Sequence, residues 1–194
     1  MRKGERTRLN LLVAGAGFLA ENNLDALTVS AICGHAGVAH GTFYLYFQDR
    51  NDVAGALLSK FVDYLQVQMR ISARQAGDPV RNTTAAYFEL FKANAGLMKC
   101  LVVGIDAFPE ARTAFQRLNN EWARTVVRAY VKNHRGGGLS EDELMRRAYA
   151  LGGMVDQYLT ALFVTEDPWI ASLSKDMDAV IDTLTTLWRK GMHE

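Results

Sequence analysis

The chain has little cysteine, little proline and almost no net charge. Cys33 and Cys100 are the two cysteines among 194 residues. Both lie in apolar helical settings without C-x-x-C spacing, which excludes a disulfide framework and a thiolate metal site and suits a reducing cytoplasm. Three prolines, and no long stretch of alternating apolar and polar residues, argue against a β-rich fold and for an all-α one. A formal charge of +1 means that the molecule as a whole does not advertise nucleic-acid binding, so local clustering has to supply any such function. Leu97 to Ile105 is almost wholly apolar but too short to span a bilayer, and no membrane partner is expected. The four histidines (His35, His40, His134 and His193) are scattered. They form no H-E-x-x-H pair, and no G-x-S-x-G elbow is present. No catalytic residue, metal or cofactor is expected. Apolar residues at 49% are ample for a globular core.

Two patterns near the start lead nowhere. The basic head Met1 to Arg8 followed by LNLLVAGAGFLA resembles a signal peptide, but Glu5 and Asn10 interrupt it. Leu9, Leu12, Val13, Ala16, Leu19 and Ala20 instead follow helical spacing, so a soluble amphipathic helix is predicted from about Lys3 to Asn22. Gly15-Ala16-Gly17-Phe18-Leu19-Ala20 satisfies G-x-G-x-x-A. A dinucleotide site, however, needs a preceding strand and an acid ~20 residues on, and His35 stands there.

The informative stretch is Thr28 to Phe47, TVSAICGHAGVAHGTFYLYF. Thr28 can cap a helix whose inner face is Val29, Ile32, Cys33 and Ala36. Gly37 sits where the chain must reverse, and Val38 plugs the angle. A second helix begins at Ala39 with Phe43 and Phe47 inward. Gly41, Thr42, Tyr44 and Leu45 then point outward, with His40 and Tyr46 at the edges. No acid occurs between Ala26 and Gln48 to repel phosphate. Two helices crossing through a glycine turn make a helix-turn-helix, whose second helix can lie in a major groove. The basic residues Arg2, Lys3, Arg6 and Arg8 at the start can touch phosphates beside it.

Ala36-Gly37-Val38-Ala39-His40-Gly41-Thr42-Phe43-Tyr44-Leu45-Tyr46-Phe47 resembles the signature of the TetR family of bacterial transcription regulators, and the likeness reaches back to about Leu9. Ala39 departs from the family's usual capping serine, a loss of ~1 kcal/mol. His40 replaces a common lysine, and Asn23 takes the place of a glycine that often caps the first helix. The resemblance implies DNA contacts from Arg6, Thr28, Ala39, His40, Gly41, Thr42, Tyr44, Leu45, Tyr46 and, by its place at the head of the fourth helix, Arg50.

Beyond Phe47, Asp49 is placed to cap a helix running to about Gln75, and Gly77-Asp78-Pro79 breaks the chain before the next. Helices are predicted over Val80 to Asn94, Leu97 to Ile105 and Pro109 to about Arg135. Gly136-Gly137-Gly138 forms a loop that lacks the Lys-Ser/Thr of a phosphate-binding loop. Ser140 with Glu143 opens a further helix to Val164. Gly152 and Gly153 inside it imply a close neighbour, since each weakens a helix by ~1 kcal/mol. The last helix, Ser174 to Lys190, carries the stripe Met177, Val180, Ile181, Leu184, Leu187 and Trp188.

The resemblance thus implies an all-α protein of about nine helices. Residues 1–48 would form a three-helix DNA-binding domain and residues 49–194 a helical effector-binding and dimerisation domain. By the family's pattern, Gly152, Gly153, Ile181, Leu184 and Trp188 would meet a second copy. Phe91, Asn94, Met98, Asn119, Trp122, Gln157 and Tyr158 would line a pocket for a largely apolar small molecule. The expected protein is a cytoplasmic homodimeric repressor, binding double-stranded operator DNA with inverted-repeat symmetry and released by its effector. The competing readings are a helical small-molecule-binding protein or enzyme that does not touch DNA, and an activating or constitutive regulator.

Overall fold

A computed structural model describes residues 2–104, 108–133 and 139–193. Gly136 to Gly138, and the far ends of the helices expected to finish at Ile105 and Arg135, lie outside the described residues. The fold is all-helical, as the composition predicts. The elements are α1 (Lys3–Glu21), a 3-10 turn (Leu24–Ala26), α2 (Val29–Ala36), α3 (His40–Phe43), α4 (Arg50–Ser72) and α5 (Pro79–Ala93). They continue with α6 (Ala95–Val102), α7 (Pro109–Asn133), α8 (Glu141–Phe163), α9 (Pro168–Leu173) and α10 (Met177–Met192).

Ten α-helices among the described residues exceed the nine expected. The extra one is α9, which forms because Asp167 Oδ1 accepts the Trp169 and Ile170 N–H groups at 2.8 and 3.2 Å, with Pro168 in the first turn. Most caps follow the same logic. Asp49 Oδ1 accepts from the Asn51 and Asp52 amides at 2.8 and 2.9 Å, and Ser140 accepts from Glu143 at 3.2 Å. Asn23 does not take the left-handed conformation: its φ is −73°, because the 3-10 turn starts there and α1 already ends at Asn22 in extended backbone.

The described chain gathers into two compact units, one of residues Met1–Asp63 with Asn94–Phe115, the other of Tyr64–Ala93 with Gln116–Glu194. The first unit therefore extends beyond the 1–48 segment. Its core is Leu11, Leu19, Leu27, Ile32, Phe43, Val53, Leu58 and Leu101, each fully buried. α6 lies so close to α1 that a Cβ on Gly96 would stand 2.4 Å from the Leu19 carbonyl oxygen. In the second unit α10 packs on α5 and α8. Arg81 of α5 pairs with Asp178 and Asp182 of α10 at 3.0 and 2.6 Å. Arg147 of α8 donates to the terminal carbonyls of Gly191 and His193 at 3.3 and 2.9 Å, closing the end of α10. Ala123, Val127, Leu144, Ala148 and Met192 form one buried cluster there.

Ile181 and Leu184 are 5% and 2% exposed within this single chain, and Trp188 packs partly buried against the same cluster. The terminal stripe thus serves the protein's own core before any second copy is considered. Gly152 and Gly153 have no close neighbour in the chain, since a Cβ on either would meet nothing within 4 Å. The tight contact is at Gly191, where a Cβ would come within 2.8 Å of Leu151.

Candidate nucleic-acid interface and ligand cavity

Thr28 Oγ1 accepts the Ala31 N–H at 3.1 Å and starts α2. The helix ends at Gly37, whose φ of 65° is the left-handed turn a glycine takes without steric penalty. Asn10 of α1 donates to the Ala36 carbonyl at 2.9 Å, fixing the turn against the first helix; the sequence reading overlooked this role. α3 begins at His40 with no side-chain cap from Ala39. It makes only one regular turn, shorter than the Ala39–Phe47 helix expected. The bends that follow keep its direction through Tyr46 N–H to Phe43 O at 2.9 Å and Phe47 N–H to Phe43 O at 3.1 Å. With alanine at the N-cap, the first amides of α3 have no side-chain acceptor.

Phe43 and Phe47 are buried with ring centroids 5.8 Å apart. Anchoring them turns Tyr44 and Leu45 into solvent, 60% and 77% exposed. Gly41 faces open space, His40 and Arg6 are exposed, and Thr42 is half-buried. The result is an outward surface of hydroxyl, aromatic and aliphatic groups on a rigid apolar footing. Thr28 spends its acceptor lone pair on the helix, yet its O–H stays able to donate. Tyr46 is half-buried, and its hydroxyl lies against Gly4 of α1, 3.5 Å from where a Cβ there would sit. Arg8 stacks over the Phe47 ring at 4.9 Å.

Arg50 stands at the head of α4, as expected, and also reaches inward. Its guanidinium donates to the Asp25 and Leu27 carbonyls at 3.2 and 3.4 Å and stacks over the Phe108 ring at 5.1 Å. Nη1 braces the 3-10 turn that precedes α2, while the residue as a whole stays exposed at the head of α4.

The second unit holds a cavity of about 400 Å³. Its wall comes from Met69 of α4 and Ala73 just beyond it, Val80, Thr84 and Tyr87 of α5, Asn119, Trp122 and Val126 of α7, Gly152, Val155 and Asp156 of α8, and Trp188 and Arg189 of α10. Of the expected pocket residues, Trp122 and Asn119 are in this wall. Phe91 is not: it is fully buried in an aromatic cluster, 6.1 Å from Tyr87 and 6.3 Å from Phe163 between ring centroids. Asn94 and Met98 belong to the other compact unit. Gln157 is exposed, one helical step past Asp156 and off the cavity face. Tyr158 donates to or accepts from Ser174 Oγ at 2.7 Å and lines a separate crevice of about 100 Å³. Of the helices expected around the pocket, α5, α7 and α8 contribute wall residues and α6 does not, while α4 and α10 join the wall.

The group it missed is Asp156. This carboxylate is 6% exposed and accepts the Tyr87 hydroxyl at 2.6 Å. Burial pushes it up from 3.8 to about 6, against the opposing pull of the Tyr87 hydrogen bond. Burial, and then the Asp156 charge, push the Tyr87 hydroxyl well above its ordinary range. The sequence did carry a signal, an acid in line with Gly152, Val155 and Leu159 on the apolar side of α8. The other charged wall residue, Arg189, is ion-paired with Asp78. Among the described residues no set of three or more His, Cys, Asp or Glu is gathered for a metal ion, and no helix is long and apolar enough to cross a membrane.

Comparison with known proteins agrees with this architecture. Residues 11–57 match the family model for bacterial regulatory proteins of the tetR family. The HTH-type transcriptional regulator EthR of Mycobacterium tuberculosis is 22% identical over 191 residues, covering 95% of this chain and 86% of that protein. The HTH-type transcriptional repressor KstR2 of the same organism is 29% identical over 92 residues, 47% of this chain and 44% of its own length. The crystal structure of FadR from Bacillus subtilis in complex with stearoyl-CoA superposes with a TM-score of 0.67 at 20% identity, over 95% of this chain and 99% of that one. The helix-turn-helix segment, residues 11–57, thus carries the tetR-family DNA-binding pattern of bacterial regulatory proteins, and the chain is similar to a known transcriptional regulator along 95% of its length.

Proposed function

We propose that the protein is a ligand-responsive transcriptional repressor, acting in the cytoplasm by binding and not by catalysis. A homodimer would bind an inverted-repeat operator through residues 1–48, and a small, largely apolar effector held within residues 49–194 would release it. The observation that carries the reading is the outward face of Gly41, Thr42, Tyr44 and Leu45, mounted on buried Phe43 and Phe47. Between Ala39 and Phe47 there is no Arg, Lys, Asn or Gln, so bidentate base reading is absent from this face. Thr42 and Leu45 would pack on thymine methyls. Tyr44, Tyr46, Thr28, His40 and Arg6 would hold phosphates, with the backbone at Ala39 and Gly41 allowing close approach.

The likeness to a protein named a transcriptional repressor supports repression. The stearoyl-CoA complex of FadR supports a ligand role for the helical unit, and the 400 Å³ cavity lies within the range of small-molecule sites. Coupling would run through α4, which has residues in both compact units, and it requires the effector to prefer the form that does not bind DNA. For the dimer, the exposed side of α8 and α10, with Gly153, Gln157, Thr183 and Leu187, replaces the inward-facing Ile181 and Leu184.

Selecting genomic fragments with purified protein, then titrating the best by mobility shift, tests the reading. Half-sites about 34–36 Å apart, or somewhat more, are expected. Tyr44→Ala should weaken binding to all sequences and Leu45→Ala should relax sequence preference. If both variants bind the selected fragment as wild type does, the assigned face is wrong. If no fragment is enriched, a ligand-binding protein without DNA affinity is the better description.

A further inference from the structure

Among the described residues, the cavity wall holds one buried charged group, Asp156, with no oppositely charged partner. Asp156 is 6% exposed and borders the cavity. Its one hydrogen bond among the described residues is from the Tyr87 hydroxyl, a neutral donor. The causes acting on its proton are burial and that hydrogen bond, with no contribution from a nearby cation. Arg189, the cation in the same wall, already belongs to Asp78. A buried carboxylate is tolerated poorly unless a positive charge or several donors meet it. The remaining wall is apolar and aromatic, and Trp122, Tyr130 and Trp188 present rings to the same space. Such rings attract organic cations as well as hydrocarbon.

We infer that the cavity takes an amphiphile bearing a protonated amine, its ammonium group paired with Asp156 and its apolar body against Trp122, Val126 and Trp188. This inference rests on the cavity being the effector site. A carboxylate ligand would bring a second negative charge to a wall in which the described arginine, Arg189, is already paired with Asp78. An alcohol would donate one hydrogen bond but leave the buried charge uncompensated. An ammonium supplies both charge and donors, and the pairing strengthens as the ligand seals the cavity from water. Although burial raises the Asp156 proton affinity, the group is ionised in most molecules at pH 7.5, where an alkylamine is protonated.

The experiment compares decylamine, decanol and decanoate binding to the full chain at pH 7.5 and constant ionic strength, read by quenching of the Trp122 and Trp188 fluorescence. Wild type, Asp156→Asn and Gly152→Leu are measured side by side. A Cβ at Gly152 meets nothing within 4 Å and the residue borders the cavity, so leucine there occupies ligand space without a clash at its root. Wild type should bind decylamine about tenfold or more tightly than decanol, and decanoate most weakly. Asp156→Asn should lose that amine preference and keep decanol affinity within about threefold, while Gly152→Leu should weaken all three. Equal affinity for amine and alcohol, or an amine preference unchanged in Asp156→Asn, overturns the amine assignment. In that case sensitivity of all three ligands to Gly152→Leu leaves the cavity standing as the effector site. If none of the three binds, or Gly152→Leu changes nothing, the effector site and the amine assignment fall together.

Discussion

Replacing Asp156 by Asn should stabilise the protein, and only above a definite pH. The carboxyl titrates at about 6 in the folded chain against an ordinary 3.8, raised first by burial and partly restrained by the Tyr87 hydrogen bond. Between those two values the native state keeps a proton that the unfolded chain has released. Stability contributed by this group therefore falls as pH rises through the window and is flat above about 6. The gap between 3.8 and about 6 corresponds to a penalty of about 3 kcal/mol once the group is ionised in both states. Asparagine has nearly the same shape and can still accept from Tyr87, but it carries no charge to desolvate. The two proteins should match near pH 4, and the variant should be more stable by up to about 3 kcal/mol at pH 7.5. For a chain of this size that is roughly 6–12 °C in Tm. Urea unfolding from pH 4 to 8, at matched protomer concentration, reads the difference directly, because groups common to both proteins cancel. A stability difference that stays constant across the pH range would refute the reasoning, as would a variant that is weaker at pH 7.5.

Gly96→Ala should cost about 1–3 kcal/mol, because its Cβ would lie 2.4 and 2.7 Å from the Leu19 and Ala20 carbonyl oxygens; a wild-type denaturation midpoint would mean that α1 and α6 are not held this closely. Cys33 and Cys100 are each 3% exposed and burial raises both thiols, Cys100 to about 11. Both should react with a disulfide reagent only after guanidinium unfolding, and rapid labelling of the native protein would contradict their placement. Leu184→Asp puts a charge on a residue 2% exposed and should unfold much of the second unit, whereas Leu187→Asp, at a position 42% exposed, should melt normally but give monomers by light scattering. A dimeric Leu187→Asp protein would move the interface off this face of α10.

The helix-turn-helix was readable because its rules are local. Thr28, Gly37 and Asp49 act within four residues of themselves, and a cap or a positive φ needs no knowledge of the rest of the chain. The alternation of buried Phe43 and Phe47 with exposed Tyr44 and Leu45 follows from helical spacing alone. The inward reach of Arg50 was not readable, because its acceptors lie 23 and 25 residues away and its stacking partner is Phe108. From sequence it is simply a basic residue at the head of a helix near the DNA-facing end. The close approach at Gly96 was hidden for the same reason, since nothing in the local pattern says which helix will cross there.

The cavity shows where periodicity stops being enough. Apolar spacing finds the inner side of a helix to within a few tens of degrees, but one residue is a step of about 100°. On α8 that step separates Gly152, which borders the cavity, from exposed Gly153, and Asp156 from exposed Gln157. The glycine pair therefore does not mark one crowded contact. Its first member leaves room inside the second unit, and its second leaves an uncrowded outer face where another helix can approach. Those two uses are separable by experiment. A larger side chain at 152 should compete with ligand and leave assembly intact, whereas one at 153 should disturb self-association and leave the cavity open. If bulk at either position produced both effects, α8 would not divide into a ligand side and an outer side, and the register argued from Asp156 would be lost with it.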